Sequence, residues 1–286
     1  MKKSILFTLL FSIIALSCSE QNEPTAKQPV DFREASIFFN EMFSATIEHS
    51  VTNINLDVSS SKARIINNEV ISDYLTENYF NGLSIDISES LNHQTNARAQ
   101  LESGHFSEAQ IKFISEMESA MMDIESAEDL NDLIVRFRNK ATGNDLMTDE
   151  QKLEMLAMVE YTHAMHEYLI NGGLDEIADR IENFDEGSGA GSRVYAQRQI
   201  DYKCNGSCGA KGCSVNWRNV WQDAVVGFVV GGTSGVYVGA TGGTVVLGPL
   251  GTVTGAVGVG VVGAAGGFVG GALQEIGGQL FFNCLF

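Results

Sequence analysis

Two groups of residues in this 286-residue chain have types and spacings that could do chemistry. The first is Glu160, His163, His166 and Glu167. Steps of three and four bring such side chains together on a helix, and Glu-x-x-His is the unit on which di-iron bundles are built. That chemistry needs a second unit on another helix. The one other literal match, Glu102-Ser-Gly-His105, contains a glycine and stands just before a helix start at Ser107, so it reads as loop. The four residues are therefore expected to form a solvated polar face, with no metal and no cofactor. No Ser-His-Asp arrangement or nucleophile elbow occurs, so no enzyme is expected. The second group is the five cysteines, Cys18, Cys204, Cys208, Cys213 and Cys284. The last four read as a disulfide framework with three connectivities open. Zinc is disfavoured, because no histidine lies near them and their gaps are not those of paired CxxC knuckles.

Cys18 has a context of its own. Lys2 and Lys3 precede an apolar run from Ile5 to Leu16, and Ala15-Leu16-Ser17 leads into the cysteine. The run is too short to anchor as a stable bilayer span. It resembles the lipobox of bacterial lipoproteins, which implies removal of residues 1–17 and acylation of Cys18. Two or three acyl chains anchor nearly permanently where one does not. The polar, acidic Ser19-Glu20-Gln21-Asn22-Glu23 resembles the export signal that some Bacteroidota place after the lipid cysteine. The expected location is thus an outer membrane or cell surface, with residues 18–30 as an acylated tether.

The remaining chain divides by charge. Residues 19–192 hold 11 Lys and Arg against 33 Asp and Glu, net −22, whereas residues 193–286 hold 5 against 3, net +2. The acidic part repels nucleic acid and anionic lipid, so no nucleic-acid partner is expected. Gly187, Ser188, Gly189, Gly191 and Ser192 mark a flexible linker over 186–200, where the chain is open to cleavage and release.

Residues 31–185 read as an acidic helical bundle. Capping boxes at Ser107 to Gln110 and Thr148 to Gln151, and a weaker one at Ser126, each precede apolar residues at helical spacing. Those residues are Ile111, Ile114, Met117 and Met121, then Leu130, Leu133 and Phe137, then Leu153, Leu156 and Val159. Ile37 to Ile54 and Val70 to Phe80 are expected to pack on them.

Ala224 to Gln274 is 51 residues without a charge, 17 of them glycine. Gly227, Gly231, Gly235, Gly239, Gly243, Gly251, Gly255, Gly263, Gly267 and Gly271 share one four-residue register that misses only at Leu247 and Val259. A helical glycine costs about 1 kcal/mol relative to alanine in water, whereas between helices in lipid it lets backbones approach. Pro249 splits the run into two segments of 25 residues, each roughly 38 Å as helix and long enough for a core of about 30 Å. The expectation for 224–286 is a membrane-competent glycine-zipper hairpin, in contact with membrane lipid and suited to self-association. The rival is β structure, since the segment is rich in valine and threonine and a four-residue register is also one-faced on a strand.

Before the hairpin stands Tyr202-Lys-Cys204-Asn-Gly-Ser-Cys208-Gly-Ala-Lys-Gly-Cys213-Ser-Val-Asn-Trp217. This resembles the N-terminal box of pediocin-like bacteriocins, above all in Cys208-x4-Cys213-Ser-Val-Asn-Trp217. The resemblance implies a small disulfide-closed β-hairpin over 201–223 that docks on a receptor of a target cell, followed by a membrane-permeabilising segment. It implies a Cys208–Cys213 bridge, and with it Cys204–Cys284 across the hairpin base. Arg193, Arg198, Lys203, Lys211 and Arg218 make the region basic, and Trp217 and Trp221 are expected at the membrane interface.

The whole is expected to be mostly α: an acidic helical bundle, a disulfide-bonded β-hairpin box and a two-helix glycine-zipper hairpin. The expected activity is permeabilisation of neighbouring cells. The alternative is a structural glycine-zipper lipoprotein of the producer's own envelope, similar in kind to the outer-membrane 17 kDa antigen family. Cys18→Ala is expected to abolish acylation and membrane fractionation, as checked by metabolic lipid labelling. A labelled mutant would refute the lipobox.

Overall fold

The computed structural model describes residues 30–54, 56–57, 64–65, 68–79, 106–124, 127–187, 215–239, 244–246 and 252–280. From Asp31 onward they belong to one compact unit.

Local signals in the sequence start the helices where the chain needs them. Helix α1 (Phe32–Thr52) begins at Asp31, whose carboxylate accepts from the amides of Arg33 and Glu34 at 2.9 and 3.2 Å. Two short strands follow, β1 (Leu56–Asp57) and β2 (Arg64–Ile65), paired antiparallel, then α2 (Asn68–Tyr79). Helices α3 (Glu108–Met121) and α5 (Asp149–Tyr168) both carry the expected capping boxes, Ser107 with Gln110 and Thr148 with Gln151. Each box satisfies backbone donors that a helix start would otherwise leave open. Helix α4 (Ala127–Thr142) lies between them. A π-turn at Leu169–Gly173, with Gly172 at φ 100°, then re-aims the chain into α6 (Leu174–Gly187). Only glycine takes that φ readily.

The glycine-rich region supplies α7 (Trp217–Gly239), the antiparallel strands β3 (Thr244–Val246) and β4 (Thr252–Thr254), and α8 (Gly255–Leu280). Both readings of this region therefore hold, in different places. The helices carry the glycine register, and among the described residues of this region β structure is confined to Thr244–Val246 and Thr252–Thr254, whose β-branched residues suit a paired ladder. Helix α7 ends at Gly239, so its uncharged part from Ala224 is only about 24 Å long.

The expected architecture needs correction. The glycine hairpin is the core of the unit, wrapped by the acidic helices, rather than a separate element after a bundle. Central helix α5 is buried on nearly every side from Leu153 to His166. Tyr161 is its hub: its ring stacks on Phe43 of α1 at 4.7 Å and lies 6.2 Å from Phe228 of α7 and from Phe268 of α8. Its hydroxyl donates to the carbonyl of Val261 at 3.1 Å. The amphipathic helices thus pack on one another, as the sequence suggested, above all α1 and α4 on α5, and it is chiefly α5, α2 and α1 that also meet the hairpin.

The β-hairpin box is also corrected. Trp217 to Asp223, its final third, form the first two turns of α7, and the strands among the described residues lie elsewhere. No disulfide occurs among the described residues. Cys204, Cys208, Cys213 and Cys284 lie outside them, as do Cys18, the tether and the linker beyond Gly187.

One buried ion pair ties the outer layer together. Glu160 of α5, 1% exposed, accepts from Arg138 of α4 at 2.6 and 2.8 Å and from the Ser36 hydroxyl of α1 at 2.5 Å. Removing one partner of such a pair leaves a buried charge without its counter-ion, which costs several kcal/mol. Arg138→Met is expected to destabilise the fold by about 3 kcal/mol in urea unfolding, with part of the loss recovered in Arg138→Met/Glu160→Gln.

Candidate functional site

The candidate site is the hairpin itself, and its glycines explain its geometry. Helices α7 and α8 run antiparallel, and a Cβ added to Gly227 would overlap the carbonyl of Gly267, with the same true in reverse. Gly231 meets Gly263, Gly235 meets the backbone of Val259 and Gly260, Gly239 meets Gly255, and Gly271 meets the carbonyl of Asp223. All these pairs are centred on Leu247. The two misses in the glycine register follow: Leu247 is the centre of symmetry, and Val259 presents its carbonyl to Gly235. Such approach puts backbone against backbone, which any larger residue would prevent. Gly243 and Gly251 continue the register outside the described residues.

Among the described residues, one helix, Gly255–Leu280, is long and apolar enough to cross a membrane. It is also nearly all buried, with Val259, Val261, Val262, Phe268 and Val269 at most 1% exposed. The two tryptophans expected at an interface are inside the fold. Trp221 is 1% exposed and donates from Nε1 to the Thr162 hydroxyl at 3.3 Å, while Trp217 packs its ring 6.2 Å from His166.

The Glu160, His163, His166 and Glu167 group is not the solvated face that its polarity suggests. Glu160 holds the ion pair and His166 is buried, whereas His163 is half-buried beside Asn40 at 3.3 Å and 3.9 Å from Glu167. Burial holds the His166 imidazole below its ordinary pKa, against a smaller opposing effect of Glu167. No group of three or more His, Cys, Asp or Glu among the described residues could hold a metal ion.

Three acids that sequence reasoning did not single out touch the hairpin or flank it. Glu154 of α5 closes a cavity of about 10 Å³ against Phe228, Gly232, Gly260 and Ala264. It accepts from the Gln110 side-chain amide at 2.5 Å, and burial pushes its pKa up to about 7. Asp223 of α7 and Glu275 of α8 meet side chain to side chain at the open end. A signal for that pair was present: they are the first charges on either side of the uncharged run, and symmetry about Leu247 sets 223 opposite 271, one turn from 275.

Glu154 gives a pH dependence with a definite sign. Its folded pKa, about 7, lies above the ordinary 4.5, so the folded state holds a proton that the unfolded chain releases. Stability is therefore expected to fall as pH rises from 4.5 to 7 and to change no further above that. Glu154→Gln keeps an acceptor for Gln110 and removes the buried charge. In urea unfolding it is expected to gain about 3 kcal/mol over the natural chain at pH 8 and almost nothing at pH 4.

No protein family, curated protein or solved structure matches this chain, so its reading rests on its own residues.

Proposed function

We propose that this is an exported, lipid-anchored protein that stores a membrane-inserting glycine hairpin in a sheath of amphipathic helices and delivers it to the bilayer of a neighbouring cell. The observation that carries the reading is the placement of charge on the hairpin. From Ala224 to Gln274 there is none, and Arg218, Asp223 and Glu275 all lie at the open end, away from the paired strands β3 and β4. A hairpin of this kind enters lipid turn-first without dragging a charge through it. The contacts between its two helices suit lipid as they stand, because the glycine pairs pack backbone on backbone. With α7 about 24 Å long from Ala224 and β3 adding about 10 Å, the hairpin approaches the thickness of a hydrocarbon core. The acidic sheath keeps the stored form soluble, and acylated Cys18 holds it at the envelope.

A second reading has the hairpin as a permanent core. The stacking of Phe43 and Tyr161 around Phe268 and the burial of α8 favour it.

One measurement separates the two. The chain has only two tryptophans, Trp217 and Trp221, both at the base of the hairpin. Mixed with phosphatidylcholine vesicles brominated high in their acyl chains, the full chain is expected to show tryptophan quenching together with release of an entrapped dye. Absence of both at every lipid ratio and pH would leave the permanent core as the reading that stands.

A further inference from the structure

Both ends of the uncharged run stop at an acid, and the fold brings the two acids together. The backbone carbonyl of Asp223 packs on Gly271, which sets its carboxyl beside that of Glu275 one turn further along α8. Two ionised carboxylates have only acceptors to offer each other, so a hydrogen bond between them needs a proton on one. No nearby cation replaces it among the described residues. Arg218, on the same helix, donates to the Met122 carbonyl at the end of α3 at 2.7 Å. From α8, neutral Gln279 donates to Glu275 at 2.7 Å. On α5, His166 stands behind Trp217, and on α6, Arg180 faces Glu176 at 4.0 Å. Burial first, and Glu275 second, push the Asp223 carboxyl up to about 6.

We propose that a proton shared by Asp223 and Glu275 clamps the open end of the hairpin, and that the clamped hairpin is the form that enters lipid, so that acid promotes insertion. The second half rests on the membrane delivery proposed above. With both acids ionised, repulsion drives α7 and α8 apart where Gly271 must stay on the Asp223 carbonyl and Gly227 on Gly267, and two charges border the segment that has to cross the interface. Proton uptake closes the zipper and removes one of those charges. The Asp223 pKa is raised above its ordinary 3.8, so the folded state gains a proton that the unfolded chain lacks. The clamp is complete at about pH 4 and is lost as pH rises through about 6.

The test uses the full chain, the Asp223→Asn variant and two readouts. An asparagine donates to Glu275 without a titrating proton, so the variant is clamped at every pH. In solution without lipid, the natural chain should lose stability against Asp223→Asn in urea as pH rises from 4 to 7. With brominated phosphatidylcholine vesicles, quenching of Trp217 and Trp221 should be several-fold greater at pH 5 than at pH 7.5 in the natural chain. In Asp223→Asn it should be equally strong at both. Parallel stability profiles of the two proteins would overturn the clamp. Insertion of Asp223→Asn with the natural pH dependence would overturn its role in insertion. A stability difference without quenching at any pH would leave the clamp standing and remove both its link to insertion and the delivery reading.

Discussion

The structure depends on how closely two helix backbones approach. Between α7 and α8 the contact is glycine to carbonyl at Gly227, Gly231, Gly235, Gly263, Gly267 and Gly271, with no side chain between. Each helical glycine sacrifices about 1 kcal/mol of intrinsic preference against alanine, so neither helix has reason to form alone in water. What stabilises them is the pairing and the apolar surround. The outer faces of the pair then present valine, phenylalanine and alanine in every direction, and a soluble unit must cover them all. Helix α5 lies between α1 and α4 on one side and the hairpin on the other, which is why it is buried on nearly every side.

Covering a core of this kind leaves little room for charge, and the exceptions are informative. Glu160 sits among three helices only because Arg138 and Ser36 satisfy it. Glu154 has an amide partner and no counter-ion, and its carboxyl responds by holding its proton to about neutral pH. His166 responds in the opposite sense for the same reason, staying neutral where an exposed imidazole would charge. The helices around the hairpin are acidic outside, while buried Glu154 and His166 favour their neutral forms and Glu160 is paired with Arg138.

Much of the secondary structure was legible. Ser107 and Thr148 mark helix starts because a hydroxyl with a glutamine three residues on is a complete local device, independent of the rest of the fold. The glycine register marked the helix pairing, because only a close crossing rewards that repeat. Which surfaces the elements share was not legible. Apolar stripes on α1, α3, α4 and α5 say that each helix buries a face, and these helices do pack on one another, but the stripes do not say that α5 carries the hairpin on its other side. The charge change near Gly187 separates surface from core here, and it read as a boundary between domains. Glu160 and His166 read as solvated because polarity and helical spacing carry no information about a third helix arriving from 124 residues away, as Ser36 does. The cysteine box suggested strands through its resemblance to the pediocin-like box, yet Trp217 and Trp221, four apart, are helical neighbours, and both are buried in the helix that they begin.

The order of the parts along the chain sets the order in which they can fold. Synthesis delivers the outer helices first, so Phe43 of α1 and Tyr161 of α5 can stack before Phe268 of α8 is made and closes on them.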